Sequence, residues 1–266
     1  MGHCLQHQKT QKSMINQLKD FVFSLLNRQT INLVSDESLK DQVIIISGAS
    51  KGIGKDVAKV LYEHGANVVL FSRNFEELKK VFADFDNNKI MVLKADVTSY
   101  KDVVNVIEKT IKKFGKIDVL INNAGFFKGD YIEDVSEEDW DKLISINIKG
   151  VFLMTKAVIP LMKNQRSGLI INIGSRISHN TNIQAKKVLY ATTKFAVEGF
   201  SKALNNELKP WGIKVTCLMP GTVNTFRSLQ PRKYLSPYTI GQIISSIIKL
   251  EDVDFESIVL KSKYEL

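Results

Sequence analysis

Cysteine is almost absent from this chain of 266 residues: there are two, Cys4 and Cys217, far apart and in different surroundings. That excludes a disulfide framework. No spacing of metal-ligating residues is present either, so no metal is expected. No apolar run approaches the roughly 18 residues that a membrane span requires. The polar N-terminus lacks the continuous apolar core of a secretory signal. These absences lead to the expectation of a reducing, cytoplasmic setting. The chain also lacks a basic cluster. Its formal net charge is +9, but the lysines are spread along predicted helices, so no nucleic-acid partner is expected. What the composition does supply is 44% hydrophobic residues and enough length for one large α/β domain with a substantial core.

The stretch Val43 to Gly54, VIIISGASKGIG, organises the rest. Val43, Ile44, Ile45 and Ile46 are apolar without alternation, the pattern of a strand buried on both faces of a parallel sheet. Gly48, Gly52 and Gly54 follow, and Lys55 to His64 reads as a helix. A strand, a glycine turn and a helix N-terminus make an anion site, because free backbone N–H groups and the helix dipole both favour a phosphate. The spacing is G-x-x-x-G-x-G, and by itself it also fits a tight turn with no ligand.

Further strands are predicted over Val68 to Phe71, Ile90 to Lys94, Val119 to Ile121, Leu169 to Ile173, Lys214 to Met219 and Ser257 to Lys261. Helices are predicted over Phe75 to Phe85, Tyr100 to Phe114, Leu143 to Asn164, Tyr190 to Leu208 and Pro237 to Leu250. Asn122-Asn123-Ala124-Gly125 closes one strand, Ser175 another and Pro220-Gly221 a third. Tyr190-Ala-Thr-Thr-Lys194 opens a helix. In this order and at these intervals the motifs resemble the short-chain dehydrogenase/reductase family, in its commonest subtype, over about residues 41 to 262. The resemblance implies a single Rossmann-type, doubly wound α/β domain, with a central parallel sheet of about seven strands flanked by helices. It also implies a small-molecule carbonyl or alcohol substrate.

The cofactor residues follow from the same resemblance. The glycine loop supplies Gly48, Ser50, Lys51, Gly52, Ile53 and Gly54. Asp96 and Val97 fall at the adenine. Asn123, Ala124 and Gly125 let the backbone come close to the cofactor, while Asn122 holds the sheet together. Pro220, Gly221, Val223 and Thr225 close over the nicotinamide, followed by a lid over Phe226 to Ser236. The second strand ends at Ser72, Arg73 and Asn74. In a dinucleotide fold this edge faces the adenosine ribose, where an acid would accept from the 2′-hydroxyl of NAD. No acid stands there. Arg73 does, with Lys51 in the glycine loop, and a guanidinium beside an ammonium suits a 2′-phosphate. The expected cofactor is therefore NADP(H), although either cation alone would also fit a solvated surface.

The catalytic residues implied are Asn147, Ser175, Tyr190 and Lys194. Tyr190 and Lys194 lie one helical turn apart, which puts both on one face. Reducing a ketone takes a hydride to carbon and a proton to oxygen. A free tyrosine is a poor base for the reverse reaction, so a nearby ammonium is expected to lower its pKa. Lys194 is given that role and a hydrogen bond to the nicotinamide ribose. Ser175 binds the substrate oxygen, and Asn147 is expected to hold a water that links Lys194 to solvent. Arg176, Lys186 and Lys187 border the substrate, where they either attract an acid or are simply solvated. The rival reading is a non-catalytic NADP-binding sensor or scaffold on the same fold, which has no need of these four residues.

Residues 1–40 lie outside the family pattern, and 41–266 form the catalytic domain. Met14, Ile15, Leu18, Phe21, Val22, Leu25 and Leu26 recur at helical spacing, which predicts an amphipathic helix over about residues 14–26. Its apolar stripe suits the domain's own surface, a partner chain, or a membrane surface or import route. The resemblance also implies a homodimer or homotetramer through the two long helices, with Val151, Phe152, Ala157, Phe195, Ala196 and Phe200 as contacts.

Overall fold

A computed structural model of the protein describes residues 38–180, 183–225 and 234–263. The N-terminal extension, with the helix expected over residues 14–26, lies almost wholly outside the described residues, as does most of the lid expected after Thr225. Strand β1 (Val43–Ser47) is buried along its whole length. Ile44 and Ile46 point into one half of the core and Ile45 into the other, which is why no polar residue alternates with them.

The chain continues through α1 (Gly52–Glu63), β2 (Asn67–Ser72), α2 (Phe75–Val81), β3 (Ile90–Lys94), α3 (Tyr100–Phe114) and β4 (Val119–Asn122). Then come α4 (Glu137–Ile144), α5 (Gly150–Gln165), β5 (Gly168–Ile173), α6 (Val188–Leu208), β6 (Ile213–Pro220), α7 (Pro237–Lys249) and β7 (Ser257–Leu260). The seven strands form one sheet in the order β3-β2-β1-β4-β5-β6-β7. Every pairing is parallel. The order reverses between β1 and β4, so a crevice opens above their C-terminal ends.

Two apolar layers cover the sheet. On one face α1 and α7 contribute Val57, Leu61, Ile240 and Ile244; on the other α3, α5 and α6 contribute Val103, Met154, Val158 and Leu208. Gly241 allows the first pair to touch, because a Cβ there would stand 2.9 Å from the Val60 side chain. Capping sets several boundaries. Ser99 accepts from Asp102 N–H at the start of α3, and Gly115, at φ 79°, ends it in the left-handed region that glycine tolerates.

Three expectations are corrected here. The helix expected over Phe75 to Phe85 stops at Val81, where Phe82 and Tyr62 meet the Phe85 ring edge-on instead. The helix expected from Leu143 begins at Glu137, capped by Ser136, and runs to Gln165 through a π turn over Ser145–Lys149. It is long and apolar enough to cross a membrane, but half of its apolar window is buried inside the domain. Finally, Val151 is 7% exposed and packs with Val197, Cys217, Met219 and Phe200, so it belongs to the core rather than to an outer contact.

Candidate active site

All six strand-to-helix loops that the sequence singles out gather above the C-terminal edge of the sheet. The turn after β1 is built for close approach. Gly48 and Gly52 have φ of 66° and 59°, a conformation L side chains rarely adopt. A Cβ on Gly48 would stand 2.8 Å from Ala124 Cα, and one on Gly54 would strike the Asn123 side chain. The Asn123 amide donates to the Ser47 and Gly48 carbonyls at 2.9 and 3.1 Å, which locks the β1 turn to the end of β4. No side chain caps α1 and no acid lies in its first turn. Its N-terminal N–H groups are thus not matched by protein side chains, as an anion site requires.

Two cavities, of about 660 and 280 Å³, lie side by side over this edge and share Ile53, Asn123, Gly125 and Thr225. The smaller is lined by Ser50, Lys51, Ser72, Arg73, Asp96 and Val97. Ser72 Oγ donates to Ser50 Oγ at 3.2 Å, joining the β2 edge to the glycine loop. Arg73 Nη1 is 4.0 Å from Asp96 Oδ2, while Asp96 Oδ1 is held by the Thr98 backbone and hydroxyl at 2.9 Å each. Asn74 stands apart. It does not line the cavity, and its side chain caps α2 by accepting from Glu77 N–H.

The larger cavity holds Ser175, Tyr190 and Lys194, with Pro220, Gly221 and Val223 on the opposite wall. Ser175 leaves the end of β5 in extended backbone and caps a 3₁₀ turn over Arg176–His179. Burial pushes the Tyr190 phenol above its ordinary range, and a hydrogen bond from Ser175 opposes that shift. Lys194 is 7% exposed and donates to the Ile173 carbonyl at 2.8 Å. Its burial depresses its pKa to about 8. This corrects the expectation that Lys194 lowers the Tyr190 pKa: in this geometry burial dominates, and the ammonium lies 5.7 Å from the ring centroid, turned to a carbonyl.

Asn147 lines neither cavity. It sits in the π turn, 1% exposed, and accepts from Phe126 N–H at 2.8 Å. Its amide donates to the Phe126 carbonyl at 2.9 Å and to Thr193 Oγ1 at 3.1 Å. The side chain expected to hold a water is thus already bound on both its oxygen and its nitrogen. It fixes the loop after β4 to the residue preceding Lys194. Asn122, at the end of β4, donates to Asn172 on β5 at 2.8 Å and to Thr155 at 3.2 Å, inside the sheet's helix-covered face.

The same fold occurs in known proteins. Residues 42–233 match the family model described as short chain dehydrogenase. The chain belongs to the short-chain dehydrogenase/reductase family of oxidoreductases. An uncharacterized oxidoreductase of Staphylococcus saprophyticus is 40% identical over 211 residues, 77% of this chain and 89% of the relative. Among solved structures, a 3-ketoacyl-(acyl-carrier-protein) reductase of Brucella melitensis, complexed with NADH, matches with TM-score 0.78 and 27% identity over 86% of this chain and all of that one. An alcohol dehydrogenase of the archaeon Thermococcus sibiricus, complexed with 5-hydroxy-NADP, matches with TM-score 0.77 and 27% identity over 85% and 98%.

The fold also brings to this cavity residues that sequence reasoning did not select. Phe127 meets the Tyr190 ring edge-on with centroids 5.0 Å apart. Ile177, Asn180 and Gln184 line the same space. Two adjacent aromatics after Asn-Ala-Gly were a visible signal for Phe127; the other three carry none, since their positions depend on how the loop after Ser175 folds back. Glu198, one turn beyond Lys194, is 8% exposed. Burial pushes its carboxyl up, but hydrogen bonds from Lys202 and Ser178 outweigh that and hold it below its ordinary range. Ser178 Oγ lies 3.0 Å from the Ser175 carbonyl, so its one proton is shared between Glu198 and the turn that carries Ser175.

Proposed function

We propose that the protein is an NADP(H)-dependent oxidoreductase acting on a carbonyl or secondary-alcohol substrate, with Tyr190 as proton donor and acceptor. One observation carries this reading: Tyr190, Ser175 and Lys194 line one cavity, which adjoins a smaller one lined by the glycine turn, Arg73 and Asp96. A bound nicotinamide cofactor supplies or accepts the hydride. The chain's own residues do the rest. Ser175 and Tyr190 hold the substrate oxygen between two hydroxyls. Because burial keeps Tyr190 protonated, it enters the reduction as an acid and delivers its proton to that oxygen. Lys194, which lines the same cavity, would hold the nicotinamide ribose by a hydrogen bond.

The cleft supports NADP over NAD. Lys51 and Arg73 line the same small cavity, and the end of β2 presents Ser72 and Arg73 rather than an acid. Ammonium and guanidinium there suit a 2′-phosphate. A panel of carbonyl compounds with NADPH and NADH tests the reading directly. NADPH-dependent turnover lost in Tyr190→Phe is the expected result. Turnover unaffected by that change means the proton comes from elsewhere.

Phe152 on α5 and Phe195 on α6 are 45% and 46% exposed. Both helices cover the same face of the sheet, and their exposed phenylalanines support a two-fold homodimer or homotetramer built on them.

A further inference from the structure

The proposed chemistry uses the hydroxyl of Tyr190; the fold also sets an aromatic ring against the ring of Tyr190. Phe127 meets it with centroids 5.0 Å apart and planes at 83°. Phe127 lines the larger cavity and is nonetheless 55% exposed. A lone apolar side chain on an outer surface needs no explanation. This one stands in a cavity, in contact with the candidate proton donor, with much of its surface uncovered. It is also held in place. The Phe126 N–H and carbonyl are bonded to the Asn147 side chain at 2.8 and 2.9 Å, which fixes the backbone just before it. The ring tip rests on Gly129, where a Cβ would stand 3.1 Å from Phe127 Cζ and 3.2 Å from the Lys186 carbonyl oxygen. A ring steadied at its stem, at its tip and against Tyr190 loses little freedom when a ligand covers it. Ile177, Ile183 and Val223 add apolar surface to the same cavity.

We infer that the substrate is a ketone or secondary alcohol carrying an aromatic ring close to its oxygen-bearing carbon, and that Phe127 is the specificity residue on which that ring packs. This rests on the oxidoreductase reading above and names its substrate class. With the substrate oxygen on the Tyr190 hydroxyl, a ring about one or two carbons from the carbonyl comes within the roughly 4.5–7 Å of Phe127 at which aromatic rings attract one another. Offset-stacked or edge-to-face contact then takes apolar surface of both rings out of water, and a small alkyl group leaves Phe127 wet.

The test uses the full chain with NADPH and acetophenone, phenylacetone and 2-butanone, alongside the wider carbonyl panel. At least one of the two aryl ketones should exceed 2-butanone in kcat/KM by about tenfold or more, chiefly through KM. Phe127→Ala should cut that ratio severalfold, and Phe127→Tyr, which keeps the ring, should preserve it. The ratio is the readout because a disturbance of Tyr190 alone lowers every ketone alike. Four results overturn the inference while leaving the oxidoreductase reading intact: 2-butanone reduced as well as both aryl ketones, a ratio that Phe127→Ala leaves in place, a ratio that Phe127→Tyr lowers as far as Phe127→Ala does, or turnover confined to other members of the panel. No turnover of any ketone with NADPH or NADH defeats both.

Discussion

Lys194 is buried where a lysine seldom is, and its environment makes a pH-dependent prediction. Its pKa in the folded chain is about 8, against an ordinary 10.5. Between those values the unfolded chain binds the extra proton, so this group's contribution to stability rises with pH across that window and is lost as pH falls through about 8. Cys217 acts oppositely, because burial raises it from 9.0 to about 11 and so lowers stability across that higher range. The Lys194 effect is therefore read as a difference. Lys194→Met should be more stable than the parent at pH 7, by up to about 3 kcal/mol, and the gap should close by pH 10 in chemical denaturation. A gap independent of pH would show that burial does not govern the charge. In the same site, Tyr190→Phe keeps the ring against Phe127 and removes only the hydroxyl. Turnover should fall by roughly 10²–10⁴-fold with NADPH affinity nearly unchanged by fluorescence titration. At the nucleotide end, NADPH should bind at least tenfold tighter than NADH, about 1.4 kcal/mol. Arg73→Asp should reverse the order, and equal dissociation constants in the parent would refute the assignment of Arg73.

The long helix between β4 and β5 serves the site in two ways: Ile146 lines the smaller cavity, while Asn147 lines neither. Its π turn over Ser145–Lys149 adds a residue to one turn and delivers Asn147 inward to the Phe126 backbone. π turns cluster at functional positions for this reason. Asn147→Ala leaves a buried N–H and carbonyl short of partners, at about 1–3 kcal/mol each. The variant should lose several degrees in Tm and turn over more slowly, since the loop carrying Phe127 would no longer be tied to Thr193. Unchanged melting and activity would mean that the Phe126 loop holds itself. The sequence marked Asn147 as an anomaly, because asparagine is a poor interior helix residue, but not the π turn that accommodates it. Nor could it show that Asn74 caps α2 instead of facing the cleft, since both positions lie at the same strand edge.

At the scale of the molecule, the exposed Phe152 and Phe195 predict assembly. Light scattering at micromolar concentration should give a dimer or tetramer, and Phe195→Glu should shift it toward monomer by placing a charge in an apolar contact. A monomeric parent would refute the interface.

The sequence by itself determined most elements, the glycine turn and the Tyr190–Lys194 pair, because these are local. Glycine is needed where φ is positive, apolar runs without alternation are needed for strands buried on both faces, and two side chains four apart share a helix face. β3 and α3 stand where the sequence placed them, residue for residue. Only the tertiary structure decided what depends on distant segments meeting. It set the direction of the Tyr190 and Lys194 pKa shifts, because burial is a property of the packed site and outweighs a charge read from spacing. It turned Asn147 toward Phe126 and placed Val151 in the core. A residue type and a spacing state what a side chain can do; the neighbours that the fold supplies determine which of those things it does.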